Sequence, residues 1–178
     1  MKALSGPFPQ VSFIPTCGLN EDTVAEFVCA PFVLAAGGSW VCPKGDIDAG
    51  NFERITELCR RTKQKILGYE LYHIGLNYPD SAQVESFCQA MEDAFGFAHQ
   101  RGNSSDFSSE RIEVKKGGGR GTKGHLGIGT NSIYAAMADL SNRGYDIDES
   151  SAVYKNGKLI AVYLSREIGG YAIHLSQK

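Results

Sequence analysis

The sequence predicts an α/β segment followed by an α+β domain, and three features carry this prediction. Residues 1–67 run through the order strand, loop, helix twice. Farther on, His73-Ile74-Gly75-Leu76 recurs as His125-Leu126-Gly127-Ile128, each ahead of a helical pattern, which indicates an internal repeat of about fifty residues. The parallel strand–helix rhythm stops at Gly68-Tyr69 and a hairpin-rich rhythm begins. We therefore expect two domains, residues 1–67 and residues 68–178.

The first segment is predicted from its apolar runs and the residues that interrupt them. Residues 11–14 form an apolar run closed by Pro15, which is typical of a buried strand that ends at a loop. Asn20 is the expected N-cap of a helix that ends before Pro31. A second strand is predicted over residues 32–36, ending in Gly37-Gly38-Ser39, and a second helix over residues 51–66.

The second domain is predicted from period-2 and period-3.6 apolar patterns. Helices are expected over residues 80–94 and 132–142, the latter capped by Asn131. Glu113 is expected on the strand face opposite Ile112 and Val114. Asn156-Gly157 is a hairpin signal. Strands are expected over residues 70–76, 110–114, 124–129, 158–164 and 171–175, so two related βαβββ modules are implied.

Composition limits the partners of the chain. A net charge of −2 and the absence of interleaved aromatic residues argue against nucleic acid, and the basic run Lys115–Lys123 is interpreted as a flexible inter-module linker. No apolar run approaches the ~18 residues of a membrane helix, and no secretory signal precedes the first strand, so a cytoplasmic location without membrane contact is expected. The five cysteines are expected to be reduced thiols.

Two glycine loops follow the predicted strands of the first segment. Pro15-Thr16-Cys17-Gly18 and Gly37-Gly38-Ser39-Trp40 expose backbone N–H groups and offer the hydroxyls of Thr16 and Ser39. Unobstructed N–H groups near a helix start favour an oxyanion. Turns that merely need glycine remain the alternative interpretation.

Longer segments around these loops carry a family resemblance. They are Gly6-Pro-Phe-Pro-Gln-Val11, Ile14-Pro-Thr-Cys-Gly18, Val33-Leu-Ala-Ala-Gly-Gly-Ser-Trp40 and Ile47-Asp-Ala-Gly-Asn-Phe-Glu-Arg-Ile-Thr56. Residues 1–67 thereby resemble the C-terminal third of the KDPG/KHG aldolase family. The resemblance implies the last two βα units of a (β/α)₈ barrel and a class I aldolase that releases pyruvate through a lysine Schiff base. It also implies phosphate binding at Thr16, Cys17, Gly18, Gly37, Gly38 and Ser39.

The segment departs from the aldolase family in two respects. Cys17 stands where the family usually has glycine, at a cost on the order of 1 kcal/mol if that position needs a positive φ. The strands that carry the family's Schiff-base lysine and its acid/base glutamate are absent, and none of Lys2, Lys44, Lys63 and Lys65 lies in the lysine's context. We therefore predict no aldolase activity for this chain in isolation. Two βα units cannot close a barrel, so unpaired sheet edges and apolar surface are expected to stay exposed. The favoured explanation is a truncated reading of a longer bifunctional gene. The alternatives are that a partner chain covers these edges or that they pack on the second domain.

Four residues at the edges of the two modules form a candidate metal site. Three histidines and a carboxylate from separated strands are a credible ligand set for Zn, Ni, Mn or Fe: His73, Glu113, His125 and His174. Their segments, with Arg111-Ile-Glu-Val114 and Gly170-Tyr-Ala-Ile-His-Leu175, resemble the vicinal oxygen chelate (glyoxalase/dioxygenase-like) superfamily. The resemblance implies a divalent ion that chelates two substrate oxygens and stabilises an enediolate. The chain departs from it at His174, where the superfamily usually has glutamate.

Three functions remain open from the sequence. The first is a fragment of a bifunctional aldolase of carbohydrate-acid metabolism whose glyoxalase-like domain handles a related acid. The second is a stand-alone metal-dependent lyase, isomerase or dioxygenase of the glyoxalase type, with Glu113 as the candidate catalytic residue. The third is a non-catalytic metabolite-binding module. In each case we expect a small-molecule keto acid or phosphorylated sugar acid as ligand, no organic cofactor and a homo-oligomer. Ordinary hydrogen-bonded histidines are the alternative to a metal site, and His99 is expected at the surface.

Overall fold

The computed structural model describes residues 1–178 and divides into two compact units, Met1–Tyr69 and Glu70–Lys178. The chain is of mixed α/β type, and the second unit contains one large mixed sheet. None of the helices combines the length and the apolar character that crossing a membrane requires.

The first unit is built from short helices around one long helix. Trp40 lies in a 3₁₀ turn at Ser39–Val41, and its indole N–H donates to the hydroxyl of buried Thr62 on the long helix, at 3.3 Å. That helix ends at Gly68, which takes the left-handed conformation with φ 56°. The helices are α1 (Lys2–Ser5), α2 (Val24–Val28), α3 (Lys44–Asp48) and α4 (Phe52–Leu67).

The two strands predicted in this unit are reduced to a single parallel bridge between Phe13 and Val33. Phe13 N donates to Phe32 O at 2.9 Å and Leu34 N donates to Phe13 O at 3.0 Å, so the two segments do run side by side. The prediction of full strands over residues 11–14 and 32–36 is wrong. Pro15 has no N–H to extend the ladder, and parallel strands are stable mainly inside larger sheets, which this unit lacks.

The second unit repeats one element order, a strand, a helix and three more strands. The first repeat is β1 (Glu70–Tyr78), α5 (Ser81–Phe95), β2 (His99–Gln100), β3 (Ser105–Ser108) and β4 (Ile112–Lys116). The second is β5 (His125–Thr130), α6 (Ile133–Asn142), β6 (Ile147–Lys155), β7 (Lys158–Leu164) and β8 (Ala172–Gln177).

All eight strands form one sheet in the order β2-β3-β4-β1-β5-β8-β7-β6. The first strands of the two repeats, β1 and β5, pair antiparallel at its centre. Each is also paired in parallel with the last strand of its own repeat, β1 with β4 and β5 with β8. The sheet is therefore symmetric in its connectivity about the β1–β5 pair.

Local signals fix the ends of these elements. The Asp80 carboxylate accepts from Gln83 N at 2.8 Å and starts α5. Ser132, and not the predicted Asn131, caps α6, because its hydroxyl accepts from Ala135 N at 3.3 Å. Asn156 and Gly157 have φ values of 52° and 73°, as a two-residue hairpin turn between β6 and β7 requires. Asn20 also lies before its helix, but Thr23 occupies the N-cap of α2 and Asn20 forms a turn with it.

The two faces of the sheet have different surroundings. Side chains alternate along each strand, so Leu76 and Val114 lie on one face and Gly75 and Glu113 on the other. The face with Leu76 and Val114 packs against Val84 and Cys88 of α5 and forms a buried apolar core. The opposite face is left for polar residues near the centre of the sheet.

His99 is buried, which overturns the prediction of a surface residue. Its side chain is 2% exposed and its Nε2 lies 2.9 Å from Asp106, which also accepts from Lys116 Nζ at 2.7 Å. Burial raises the pKa of Asp106, but these contacts and a bond from Gly102 N outweigh burial and bring the pKa to about 2. The short strands β2 and β3 at one end of the sheet, which carry no clear apolar period, create this buried pair.

Candidate functional site

The strand register brings the four predicted ligands onto one face of the sheet. Gly75 of β1 pairs with His125 of β5 and with Glu113 of β4. Gly127 of β5 pairs with His73 of β1 and His174 of β8. Paired residues project from the same face of a sheet. The four predicted side chains therefore converge from four adjacent strands, β4, β1, β5 and β8, at the centre of the sheet.

The polar atoms of these side chains meet at one point. His73 Nε2 lies 3.1 Å from both His125 Nε2 and His174 Nε2. Glu113 Oε2 lies 3.1 Å from His125 Nε2 and 3.5 Å from His73 Nε2. His125 and His174 are buried, and the side chains of His73 and Glu113 are 12% and 15% exposed. We call these four residues the histidine-glutamate cluster.

These separations match those between neighbouring ligands of one divalent ion. Metal–nitrogen and metal–oxygen bonds of about 2.0–2.2 Å place adjacent ligand atoms roughly 2.9–3.5 Å apart in tetrahedral or octahedral coordination. The ligand atoms of the three histidines all lie within 4.8 Å of one another. Three imidazole nitrogens could therefore hold a single ion, with the Glu113 carboxylate next to two of them, His125 and His73.

Two glycines make room for the converging rings. A Cβ placed on Gly75 would lie 1.8 Å from Cε1 of His125, and one placed on Gly127 would lie 2.6 Å from Cε1 of His73. Real Cβ atoms do not approach other heavy atoms this closely, so any side chain at these positions displaces a ring. The repeated pattern His-x-Gly thus has a physical explanation, since the glycine of each repeat accommodates the histidine of the other.

Bonds on the far side of its ring orient His174. Its Nδ1 lies 3.3 Å from the Leu175 carbonyl and 3.2 Å from the Ser176 hydroxyl. A carbonyl only accepts, so Nδ1 carries the proton and donates to it. The lone pair is then on Nε2, which faces the cluster. This is the usual arrangement by which a second bond fixes the tautomer of a metal-binding histidine.

Burial and mutual repulsion lower the pKa values of two histidines of the cluster, His73 and His174. Burial, and after it the neighbouring His73, lower the pKa of His174 to about 4. The pKa of His73 is also lowered, first by burial and then by His125. Burial raises the pKa of Glu113, but hydrogen bonds from His125 and Ser105 outweigh it and hold the pKa at about 2. Neutral imidazoles and an ionised carboxylate are the protonation states that bind metal.

These shifts predict how the metal-free protein responds to acid. His174 has a folded pKa of about 4 against an ordinary value of 6.5, so between these limits the unfolded chain binds a proton that the folded chain does not. The free energy of unfolding should therefore fall as the pH drops from 6.5 to 4, by on the order of 2–3 kcal/mol. Glu113 extends the loss from pH 4.5 to 2. Urea unfolding in the presence of a chelator measures this slope, and His174→Gln should flatten it between pH 6.5 and 4; an unchanged slope contradicts the assignment.

Other residues on this face lie outside the sequence-predicted set. The ring of Tyr163 packs 4.9 Å from that of His174, and the ring of Phe107 meets that of His73 edge-on at 6.5 Å. Lys115 Nζ lies 3.4 Å from Oε1 of Glu113. Of these three residues, only Lys115 could have been found from the sequence, because it follows Glu113 by two residues and so lies on the same face of the strand. Tyr163 and Phe107 could not, because their position depends on how their strands pair in the sheet.

A second group of potential ligands lies on the opposite face and suits metal less well. Ligand atoms of Cys88, His99 and Asp106 also lie within 4.8 Å of one another. Lys116 already pairs with Asp106, and burial raises the pKa of the Cys88 thiol. A protonated thiol and a neutralised carboxylate are poor ligands, so this group is a buried ion-pair network under α5.

The six predicted phosphate-binding residues lie in two adjacent loops of the first unit. Gly37 N donates to Pro15 O at 3.0 Å, which joins the loops. The positive φ of 73° belongs to Gly18 and not to Cys17, so cysteine is accommodated without left-handed strain. Gly38 is covered by the indole of Trp40, since a Cβ there would lie 1.6 Å from Cζ3. Ser39 starts only a three-residue 3₁₀ turn, and no helix dipole is directed at the second loop. The remaining members of the set, Thr16 and Cys17, are exposed.

The first unit is similar in sequence to one family of known proteins. Residues 1–58 match the family model for KDPG and KHG aldolase. The 2-dehydro-3-deoxy-phosphogluconate aldolase of Pseudoalteromonas atlantica is 43% identical over 61 residues, which cover 34% of this chain and 28% of the relative. The enzyme of that name from Treponema pallidum is 45% identical over 64 residues, covering 36% and 30%. The chain thus spans less than a third of the length of these curated relatives.

Solved structures of similar shape include methylmalonyl-CoA epimerases. The enzyme from Mycobacterium tuberculosis superposes with a TM-score of 0.43 at 14% identity, covering 60% of this chain and 86% of the epimerase.

Proposed function

We propose that the second unit is a metal-dependent domain of the vicinal oxygen chelate type, in which His73, His125, His174 and Glu113 bind one divalent ion. Two βαβββ modules contribute two ligands each: His73 and Glu113 from the first, His125 and His174 from the second. The observation that carries the proposal is that His73 Nε2 lies 3.1 Å from the Nε2 atoms of His125 and His174 and 3.5 Å from Oε2 of Glu113.

Hydrogen bonds alone do not satisfy this arrangement. His174 Nε2 is an acceptor, because Nδ1 holds the proton. If His125 Nε2 donates to Glu113 and His73 Nε2 donates to His174, then the nitrogens of His73 and His125 face one another at 3.1 Å with a hydrogen on each. One ion in the middle uses the lone pairs of all four residues at once. This favours a metal site over ordinary hydrogen-bonded histidines.

The cluster is suited to chemistry on a small acid. A bound divalent ion would act as a Lewis acid that polarises a substrate oxygen. The protein's own contribution is to hold three imidazoles at fixed positions and to place the Glu113 carboxylate between His125 and Lys115. Glu113, whose other oxygen faces Lys115, is also the candidate catalytic residue of the site. We infer a lyase, isomerase or dioxygenase reaction of the glyoxalase type on a small-molecule keto acid or phosphorylated sugar acid.

Metal content tests this proposal first. Protein purified without chelator and dialysed against Zn²⁺, Ni²⁺, Mn²⁺ or Fe²⁺ in turn should retain about one ion per chain by elemental analysis. Glu113→Gln keeps the size of the side chain and removes its charge, so it should retain less of each ion. Wild-type protein that retains none of the four ions contradicts the proposal.

A second candidate function belongs to the first unit. Its match to the aldolase family supports a segment of a KDPG/KHG aldolase fused to the metal domain. Aldol chemistry needs a Schiff-base lysine, and no lysine of the unit stands in the family's context. Incubation with 2-keto-3-deoxy-6-phosphogluconate should therefore release no pyruvate, and borohydride should trap no pyruvate adduct. Turnover would contradict this interpretation of the first unit.

A further inference from the structure

The basic glycine-rich segment after β4 is fixed in place, contrary to its interpretation as a flexible linker. The side-chain amide of Asn77 donates to three successive carbonyls, those of Gly119, Arg120 and Gly121, at 3.2, 3.4 and 3.1 Å. Thr122 is held by Glu167, which accepts from its N–H and from its hydroxyl at 2.9 Å each. The side chain of Arg120 is thereby presented from a defined backbone position.

Arg120 packs on Tyr163, whose ring contacts the histidine-glutamate cluster. Its guanidinium carbon is 4.8 Å from the centre of the Tyr163 ring, and that ring packs 4.9 Å from the ring of His174. Asp148 accepts from Arg120 Nη1 at 2.7 Å, and the arginine side chain is still 50% exposed. The guanidinium is thus oriented by a ring and a carboxylate while part of its donor edge stays accessible.

A second cation, Lys115, contacts the cluster. Lys115 Nζ contacts Glu113 Oε1 at 3.4 Å, and its stem packs near Gly119 of the same segment. Glu113 and Asp148 balance the charges of Lys115 and Arg120. A divalent ion held by the histidines would add two positive charges close to the two cations. The positive charge around a metal-loaded cluster therefore favours binding of an anionic ligand.

We propose that Arg120 is the recognition residue for an oxyanion group of the substrate, a carboxylate or a phosphate, that reaches the histidine-glutamate cluster. This inference rests on the proposed metal function and adds the group that selects acids over neutral compounds. Arginine suits this role because its planar guanidinium binds two oxygens at once, which lysine does not. Asp148 orients the guanidinium in the free protein and competes with the ligand for it.

Isothermal titration of the Zn²⁺-loaded protein tests the inference, with pyruvate and inorganic phosphate as separate probes for the two oxyanions. Arg120→Gln should weaken binding of the preferred probe by about tenfold or more, and Arg120→Lys should recover only part of the loss. Asp148→Asn should leave the affinity unchanged or raise it, because a competing carboxylate is removed. Lys123→Met is the matched control, since it removes one charge from the same segment at a side chain that packs on Tyr171.

The outcomes separate this inference from the proposed function. Equal affinity of wild type and Arg120→Gln for both probes overturns the role of Arg120, even if the protein holds its metal. Failure of the wild type to bind either probe overturns it as well. Loss of affinity in Lys123→Met equal to that in Arg120→Gln overturns it too, because a general charge effect then accounts for binding. Absence of metal from the wild type contradicts the proposed function, while the comparison of variants is still made on the metal-free protein.

Discussion

His73→Ala is expected to weaken Zn²⁺ binding by at least about a hundredfold, the largest effect of any single substitution in the chain. Changes to groups that merely support a ligand already cost about 10–100-fold in metal affinity. His73 is itself a ligand, and its Nε2 is the atom that lies within 3.5 Å of all three other members of the cluster. Competition with a chromophoric chelator measures the affinity of wild type and variant.

The fourth histidine supplies the control for this experiment. His99 lies on the other face of the sheet and pairs with Asp106, so His99→Gln should leave the Zn²⁺ affinity within a few-fold of wild type. Circular dichroism of both variants establishes that they are folded. Equal losses in His73→Ala and His99→Gln, or no loss in either, would show that the ion binds elsewhere.

Gly75→Ala is expected to have the second largest effect, although it changes no ligand. The added methyl group would lie 1.8 Å from Cε1 and 2.1 Å from Nδ1 of His125, so the ring must leave its position. Loss of one ligand's geometry should weaken Zn²⁺ binding by about 10–100-fold. It should also alter the visible spectrum of the Co²⁺-loaded protein, because that spectrum reports coordination geometry.

Gly129→Ala is the matched control, on the same face of the neighbouring strand. Its added methyl group would meet only the side chains of Lys178, Glu70 and Tyr72, at 3.2–3.4 Å. Flexible side chains yield at such distances, so affinity and Co²⁺ spectrum should stay close to those of the wild type. If Gly75→Ala binds Co²⁺ with an unaltered spectrum, the glycine does not position His125.

The candidate site could be predicted from the sequence because its residues repeat. The two His-x-Gly segments lie in strands that pair antiparallel, and Glu113 and His174 follow from the last strand of each repeat. The repeat gives the four residues but not their convergence, which depends on the register of four strands. Long-range register has no local signal in one sequence, and this is why the function of the two glycines emerges only from the structure.

Other features gave no local signal or a misleading one. Strands β2 and β3, at one end of the sheet, contain Ser, Asp and His and lack an alternation of apolar and polar residues. The sequence therefore does not predict that His99 is buried against Asp106. The basic run after β4 has the composition of a linker, yet the amide of Asn77, over forty residues earlier, holds its backbone. In the first unit, two apolar runs that resemble strands in composition form only a single β-bridge. Composition alone does not produce a strand, because a strand also needs neighbouring strands to pair with.

X-ray absorption at the zinc edge of the loaded wild-type protein tests the central claim most directly. We expect one Zn²⁺ with about three imidazole nitrogens and a carboxylate oxygen in its first shell, at about 2.0–2.2 Å, with the outer-shell scattering of imidazole rings. In His73→Ala the imidazole contribution should fall by about a third. A sulfur neighbour at about 2.3 Å would place the ion at a cysteine, and a shell without imidazole scattering would remove it from the histidine-glutamate cluster; either result contradicts the assignment.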